Sequence, residues 1–214
     1  ITLNTWGTYG PYQKRWDFFL EEMETFDPDL LCLQEVVEPT LTERIKKTFQ
    51  LAHSIEFYQS GLVVLGRFPI FLEELLKYKS ASPTEREDRR AIIARLKTGK
   101  NDMILANTHL SWKSEDEPTR LAQVKELLGV IKKPALLAGD FNDTLESPPL
   151  QEIKKAGYFD LLELLHPGER NITWDNRNPF IQTHSVKFPD RQIDFLFLHQ
   201  ELLAQHPPQI SEIV

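Results

Sequence analysis

The apolar stretches of this chain are short, and several of them end in a polar or acidic side chain. Ile1 to Trp6, Leu30 to Val37, Gly61 to Gly66, Arg90 to Leu96, Met103 to Leu110, Ala135 to Ala138 and Gln192 to His199 each have strand length and strand composition. None approaches the length of a membrane span, because Lys, Arg, Asp or Glu lies within or close beside each one. Helical spacing appears between them. Trp16, Phe19, Leu20 and Met23 share one face of a 3.6-residue period, Leu41, Ile45 and Phe49 predict a second short helix, and Leu121, Val124, Leu128 and Ile131 a third, closed by Pro134. Pro149 to Ala156 reads as a further helix with Gly157 as its stop. Thr98-Gly99-Lys100-Asn101 is a hairpin signal, whereas Phe71 to Lys79 fits helix and strand alike. Strands outnumber helices, and hairpins alternate with helical crossings. The expected class is α+β or mixed α/β, built on two sheets.

At 214 residues with 41% hydrophobic content, and with no repeat or linker tract, the chain has enough apolar mass for a single domain, 1–214. Its 25 Lys and Arg against 32 Asp and Glu leave a formal charge of −7, which disfavours a surface that grips nucleic acid mainly by neutralising phosphates. The single cysteine, Cys32, excludes an internal disulfide framework and a cysteine zinc site; in Leu-Leu-Cys-Leu it reads as a buried thiol. The first residues already form a strand, so we expect a sequence trimmed at both ends. A monomer is expected, and the compartment stays open, with the cytoplasm slightly favoured.

Asn4 lies in the first strand, Glu35 ends the second, Asn107 and His109 end a middle strand, Asp140 and Asn142 follow another, and Asp194 interrupts the last. A carboxylate at the end of a buried strand costs desolvation energy unless it is paired or metal-bound. Taken singly, each has an ordinary reading: a loop acid for Glu35, a hydrogen-bonded core histidine for His109, an Asx turn for Asp140 and Asn142. Asp194 fits its ordinary reading least, since a strand interior is a poor place for an unpaired carboxylate. Together, in this order, they point to a site.

Leu3-Asn4-Thr5-Trp6, Leu33-Gln34-Glu35-Val36, Gly66-Arg67-Phe68-Pro69, Asn107-Thr108-His109-Leu110, Gly139-Asp140-Phe141-Asn142 and Gln192-Ile193-Asp194-Phe195 resemble, in order, the motifs of the endonuclease/exonuclease/phosphatase superfamily. The resemblance implies a four-layered α/β sandwich, two packed mixed sheets flanked by helices, with the site where loops meet at one end. It implies hydrolysis of a phosphoester by in-line attack of water on phosphorus. Glu35 would be the principal ligand of Mg²⁺ (Mn²⁺ as a substitute), with Asn4 beside the metal or the phosphate. Asp140 would position and deprotonate the water, Asn142 would steady it, and His109 would donate to a phosphoryl or leaving oxygen. Asp194 would orient a second histidine.

That second histidine belongs to a Ser-Asp-His motif which Ser211-Glu212-Ile213-Val214 does not supply, and neither His199 nor His206 sits in such a motif. Both histidines read as surface or loop residues. For the substrate, the signals divide between nucleic acid, lipid head groups and small phosphate esters. Trp112 and Trp174 are candidates for stacking on a base or packing on the sandwich, and Asn107 for contacting the substrate. Glu85 to Arg90 reads as a solvated charged loop, but Arg89 and Arg90 open a strand, and an arginine there, Arg90 foremost, is a candidate for holding a phosphate. Lys113 to Glu117 makes an acidic rim, which tilts the expectation from duplex DNA toward a small or lipid phosphoester or a single-stranded end. Two other classes compete. A non-catalytic binding module on the same sandwich predicts degraded motif residues, and a metal-free acid–base hydrolase using Glu35 and Asp140 leaves Asn4, His109 and Asn142 without roles.

Overall fold

The computed structural model describes residues 1–99, 102–132, 134–184, 186–205 and 207–208. Its strands form two mixed sheets. The smaller has the order β1 (Thr2–Asn4), β2 (Leu30–Gln34), β4 (Leu62–Gly66), β3 (His53–Phe57). The larger has the order β5 (Ile70–Lys77), β6 (Arg90–Lys97), β7 (Asp102–His109), β8 (Ala135–Asp140), β10 (Asp194–His199), β9 (Tyr158–Asp160). Only β1–β2 and β7–β8 pair in parallel among these described strands.

Strand alternation distributes the apolar side chains over three interlayers. Leu31, Leu33, Val63 and Leu65 meet Trp16, Leu20 and Met23 of α1 (Tyr12–Phe26) and Ile45 and Phe49 of α2 (Pro39–Phe49). Their neighbours Cys32 and Val64 face the other way and pack on Ile92, Ala94, Leu105 and Ala138, which joins the sheets. The outer face of the larger sheet, through Ile93, Ala106, Leu137 and Phe197, packs on Val124 and Leu127 of α3 (Glu117–Val130) and Leu150 and Ile153 of α4 (Pro148–Lys155). The result is the expected four-layered sandwich. Cys32 is buried as expected, and burial pushes its thiol up to about 12.

Several details differ from the sequence reading. β2 stops at Gln34 instead of running to Val37, because Glu35 takes a positive φ of 56° and turns the chain. Phe71 to Lys79 resolves into edge strand β5, antiparallel to β6, with a ladder irregularity between Leu72 and Glu74. β3, β9 and the short helices α5 (Leu161–Leu165) and α6 (Gln200–Gln205) were not legible. Of the hairpin signal, Lys100 and Asn101 lie outside the described residues, but the β6–β7 ladder runs to the pair Lys97–Asp102 on either side of it. His206 and Ser211 to Val214 also lie outside them. His199, at the far end of β10, packs edge-on against Tyr158 with 5.0 Å between rings, away from the site residues.

Candidate active site

Parallel pairing puts the C-terminal ends of β1 and β2, and of β7 and β8, at one edge, where the start of antiparallel β10 joins them. His109 and Asp194 are both register partners of Asp140. Gly139 permits this arrangement: a Cβ there would lie 2.0 Å from the Thr108 carbonyl oxygen, and its φ of +142° is one that L side chains rarely adopt. Glycine before Asp140 therefore lets β8 approach β7 closely enough to place the carboxylate. Positive φ also occurs at Trp6, Glu35 and Asn142, all lining the same cleft edge, so the backbone is held in sparsely populated conformations where the chemistry-bearing residues sit.

Asn4 is the hub. Its Nδ2 donates to Glu35 Oε1 and to Asp140 Oδ2, each at 2.9 Å, and its Oδ1 accepts from the Trp6 backbone N–H at 2.9 Å. One amide thus holds two carboxylates from different sheets in register. His109 Nε2 lies 4.0 Å from Glu35 Oε1 and 3.8 Å from Asp140 Oδ2. Asp140 Oδ1 accepts the Asn142 backbone N–H at 2.8 Å, while the Asn142 side chain donates to the Leu110 carbonyl at 3.1 Å. Asn142 therefore steadies Asp140 through its backbone, and its amide is spent inside the fold. Asp194 Oδ1 is buried with no partner among the described residues.

Burial, reinforced by neighbouring Asp194, raises Asp140 well above the usual carboxylate range. Burial likewise pushes Asp194 up to about 6. His109 is driven well below its ordinary value by burial and by the nearby Arg89 charge, so it is held neutral.

Two expectations are corrected. Asn107 is not at the cleft: it is 0% exposed, its Nδ2 donates to the Leu33 and Val63 carbonyls at 3.1 and 3.0 Å, and its Oδ1 accepts from Gln34 Nε2 at 2.7 Å. It bolts the sheets together and has nothing left for a substrate. The segment Glu85 to Arg89 is not simply a solvated loop, since the Glu85 side chain is 1% exposed and pairs with Arg89 Nε at 2.9 Å. Arg90 lines the cleft but extends to within 4.0 Å of Asp88, and it is Arg89 whose charge acts on His109. Trp174 also lines the cleft, packed edge-on against His184 and Phe188 at 5.1 and 5.6 Å, with Trp6 5.7 Å from His184 on the other side. Trp112 lines the cleft as well, with the Lys113 ammonium 5.9 Å from its ring centroid.

Sequence reading missed the supports. Arg15 donates to the carbonyls of Thr5, Gly7 and Tyr9, fixing the loop after β1. Arg120, 3% exposed, donates to Asp143 at 2.8 Å and to the carbonyls of Ser111 and Lys113 at 3.0 and 2.7 Å, tying the loop after His109 to the loop after Asp140. A charged residue within the inward-facing stripe of a helix was the available signal.

The donor set fits a hard divalent cation held sparingly. No cluster of three or more His, Cys, Asp or Glu shaped for a metal occurs among the described residues. Mg²⁺ needs only one or two carboxylates plus waters and phosphate oxygens. Glu35, whose side chain is 30% exposed, supplies the most open carboxylate. Asn4 is less suited as a ligand, because its oxygen already accepts the Trp6 N–H. The crowding of Glu35, Asp140 and the unpartnered Asp194 oxygen is a concentration of negative charge that a cation would relieve.

A family model described as Endonuclease/Exonuclease/phosphatase family matches residues 1–210, and the chain belongs to that family. It is 29% identical over 169 residues to "Protein angel homolog 2" of Danio rerio, covering 67% of this chain and 30% of that protein. It is 26% identical over 167 residues to "Tyrosyl-DNA phosphodiesterase 2" of Mus musculus, covering 71% and 43%. The chain thus spans less than half the length of these curated relatives. Among solved structures, D. rerio TDP2 complexed with single strand DNA product superposes with a TM-score of 0.68 at 20% identity, covering 87% of this chain and 77% of that one. That likeness shows the fold.

Proposed function

We propose that this chain is a metal-dependent phosphoester hydrolase that cleaves a phosphodiester by in-line attack of water. The observation that carries the reading is the Asn4 amide bridging Glu35 and Asp140 at 2.9 Å each, with His109 Nε2 about equally near both carboxylates. A bound Mg²⁺ (or Mn²⁺) on Glu35 would neutralise charge on the phosphoryl oxygens. Asp140, with one oxygen held by Asn4 and the other by the Asn142 N–H, accepts the proton of the attacking water. Its raised proton affinity makes it a stronger base than an exposed carboxylate. The water oxygen bonds to phosphorus as the bond to the leaving oxygen breaks. Neutral His109 offers an N–H to a phosphoryl oxygen, and Asp194 braces the opposite side of Asp140 across the β8–β10 pair. Arg90 and Trp174 serve substrate binding from the cleft wall.

For the substrate we favour a single-stranded nucleic-acid end. Trp6, Trp174, His184 and Phe188 form an aromatic wall on which bases can stack, and base–aromatic stacking tolerates an acidic protein better than duplex binding does. A relative named for tyrosyl-DNA phosphodiesterase activity, and one whose structure holds a single-stranded DNA product, support the direction.

The test is turnover of bis(4-nitrophenyl) phosphate, single- and double-stranded oligonucleotides, sphingomyelin and inositol phosphates, with Mg²⁺, with chelator, and for Asp140→Ala. Hydrolysis that needs both metal and Asp140 is expected, with single-stranded ends preferred. A folded protein inert on the whole panel would replace this reading with a binding module, and activity surviving chelation would replace it with metal-free chemistry.

A further inference from the structure

The segment before β6 is built as a lip over the cleft. Ser82 Oγ accepts the backbone N–H groups of Thr84 and Glu85 at 3.2 Å, which turns the chain there. Lys113 Nζ donates to the Thr84 carbonyl at 3.0 Å, and the Trp112 backbone N–H donates to Glu85 Oε1 at 2.6 Å. The lip is therefore fastened to the loop that follows His109. Glu85 Oε2 accepts from Arg89 Nε at 2.9 Å, with side-chain exposures of 1% and 11% for the pair. Both Glu85 oxygens are used on this lip, and Arg89 spends only Nε. Its two terminal nitrogens have no partner among the described residues, and neither is a buried unsatisfied atom. Arg89 lines the cleft together with His109, and its charge is felt there.

We infer that Arg89, clamped by Glu85, is the phosphate-gripping arginine of this cleft, presenting its terminal nitrogens to the substrate's phosphate oxygens. The inference rests on the phosphoester reading above. The geometry suits phosphate binding in two ways. A guanidinium held at Nε keeps a planar fork of donors matched to phosphate, and fixing it beforehand removes the entropy cost of ordering a long side chain. Arg90, next in sequence, is 29% exposed at its side chain with its nearest anion 4.0 Å away, so it lacks that fixation.

Calorimetric titration with inorganic phosphate, and kcat and KM for bis(4-nitrophenyl) phosphate, test it. Arg89→Ala leaves Glu85 as an unpaired buried carboxylate and so endangers folding. The decisive variant is the double change Glu85→Gln with Arg89→Met, which removes both charges and keeps the bulk. A loss of phosphate affinity of about 10- to 100-fold is expected, the worth of charge-assisted hydrogen bonds. Arg89→Lys should recover only part, since a point charge cannot reproduce the fork. Arg90→Met should cost less than the double variant. Phosphate affinity and KM within about 2-fold of the parent in the folded double variant would overturn the role of Arg89 while leaving the hydrolase reading standing. Phosphate binding through Arg89 without any turnover would do the reverse. A parent chain that neither binds phosphate nor turns over would overturn both.

Discussion

Gln34 and Glu35 are neighbours in sequence, as Asn107 and His109 are near-neighbours on β7, yet the two pairs have opposite fates. Gln34 and Asn107 meet between the sheets at 2.7 Å, and the Asn107 amide is fully used by it and by two backbone carbonyls. Glu35 and His109 meet at the sandwich edge at 4.0 Å, beside Asp140 and an Asp194 oxygen that has no partner among the described residues. The first pair is neutral, with Gln34 Nε2 and the whole Asn107 amide hydrogen-bonded and only Gln34 Oε1 buried without a partner among the described residues, and a bonded buried network specifies how layers register. The second is over-supplied with negative charge, which costs stability and, on the function proposed above, is offset by a bound cation. Neither burial nor one unpartnered oxygen separates the two corners, since Gln34 Oε1 and Asp194 Oδ1 share both; the gathering of carboxylates does.

The largest effect that would break this comparison is at Asp140. Asp140→Asn keeps the shape but removes the proposed base and turns one of its two accepting oxygens into a donor facing Asn4 Nδ2 or the Asn142 N–H, and should lower kcat by about 10²- to 10⁴-fold. Thermal unfolding should show a Tm close to that of the parent, because neutralising a buried carboxylate offsets the loss of one accepted hydrogen bond. A variant that kept its turnover would place the base elsewhere.

Asn107→Ala should behave oppositely. It takes from the carbonyls of Leu33 and Val63 their Asn107 donor and from Gln34 Nε2 one of its three acceptors, at a cost on the order of 2–4 kcal/mol in urea denaturation. The kcat of the folded fraction should stay within a few-fold of the parent. Loss of turnover with stability intact would move Asn107 into the site.

Asp194 gives a pH-resolved version of the same contrast. Its proton affinity rises on folding, from the ordinary carboxylate value of 3.8 to about 6. The native state therefore binds the proton more tightly than the unfolded state, and stability falls as pH rises through that window. Asp194→Asn removes this dependence. In chelator, urea denaturation should show the variant more stable than the parent by on the order of 2–3 kcal/mol at pH 8, with the gap closing by pH 3.5. Asp140, which the Asp194 charge helps to raise, is relieved in the variant as well and adds to the gap in the same direction, so the gap belongs to the pair. An equal gap at both pH values would show that Asp194 is not held protonated by the fold.

The smallest effect is at the hub. Asn4→Asp would add a further anion between Glu35 and Asp140, so Mg²⁺ affinity should rise a few-fold while catalysis falls, read by calorimetry against initial rates. Weaker Mg²⁺ binding would separate the metal from this corner.

The elements that were legible in the sequence are those whose burial is one-sided and regular. α1 shows its face through Trp16, Leu20 and Met23, and all five residues of β4 are buried. β5 was ambiguous because it is an edge strand with Phe71, Leu72, Glu73 and Glu74 all exposed, so no buried face imposes a period. β3 and β9 are short and partly exposed, and are held by pairing with β4 and β10.

At the site, the sequence by itself determined which chemistry was on offer: an amide, carboxylates and a histidine recurring at the ends of apolar strands, with a glycine before Asp140. Those identities follow from one-dimensional pattern, because strand termini are where a chain can leave the core without breaking its ladders. Only the tertiary structure decided which polar residues are free to act. Asn107 and His109 differ by two positions on one strand face, yet the first is covered by the opposing sheet and the second clears its edge. Arg89 and Arg90 are adjacent, yet only Arg89 meets a buried carboxylate from the lip. Such choices depend on which layer lies opposite, and that is fixed by packing between segments far apart in the chain.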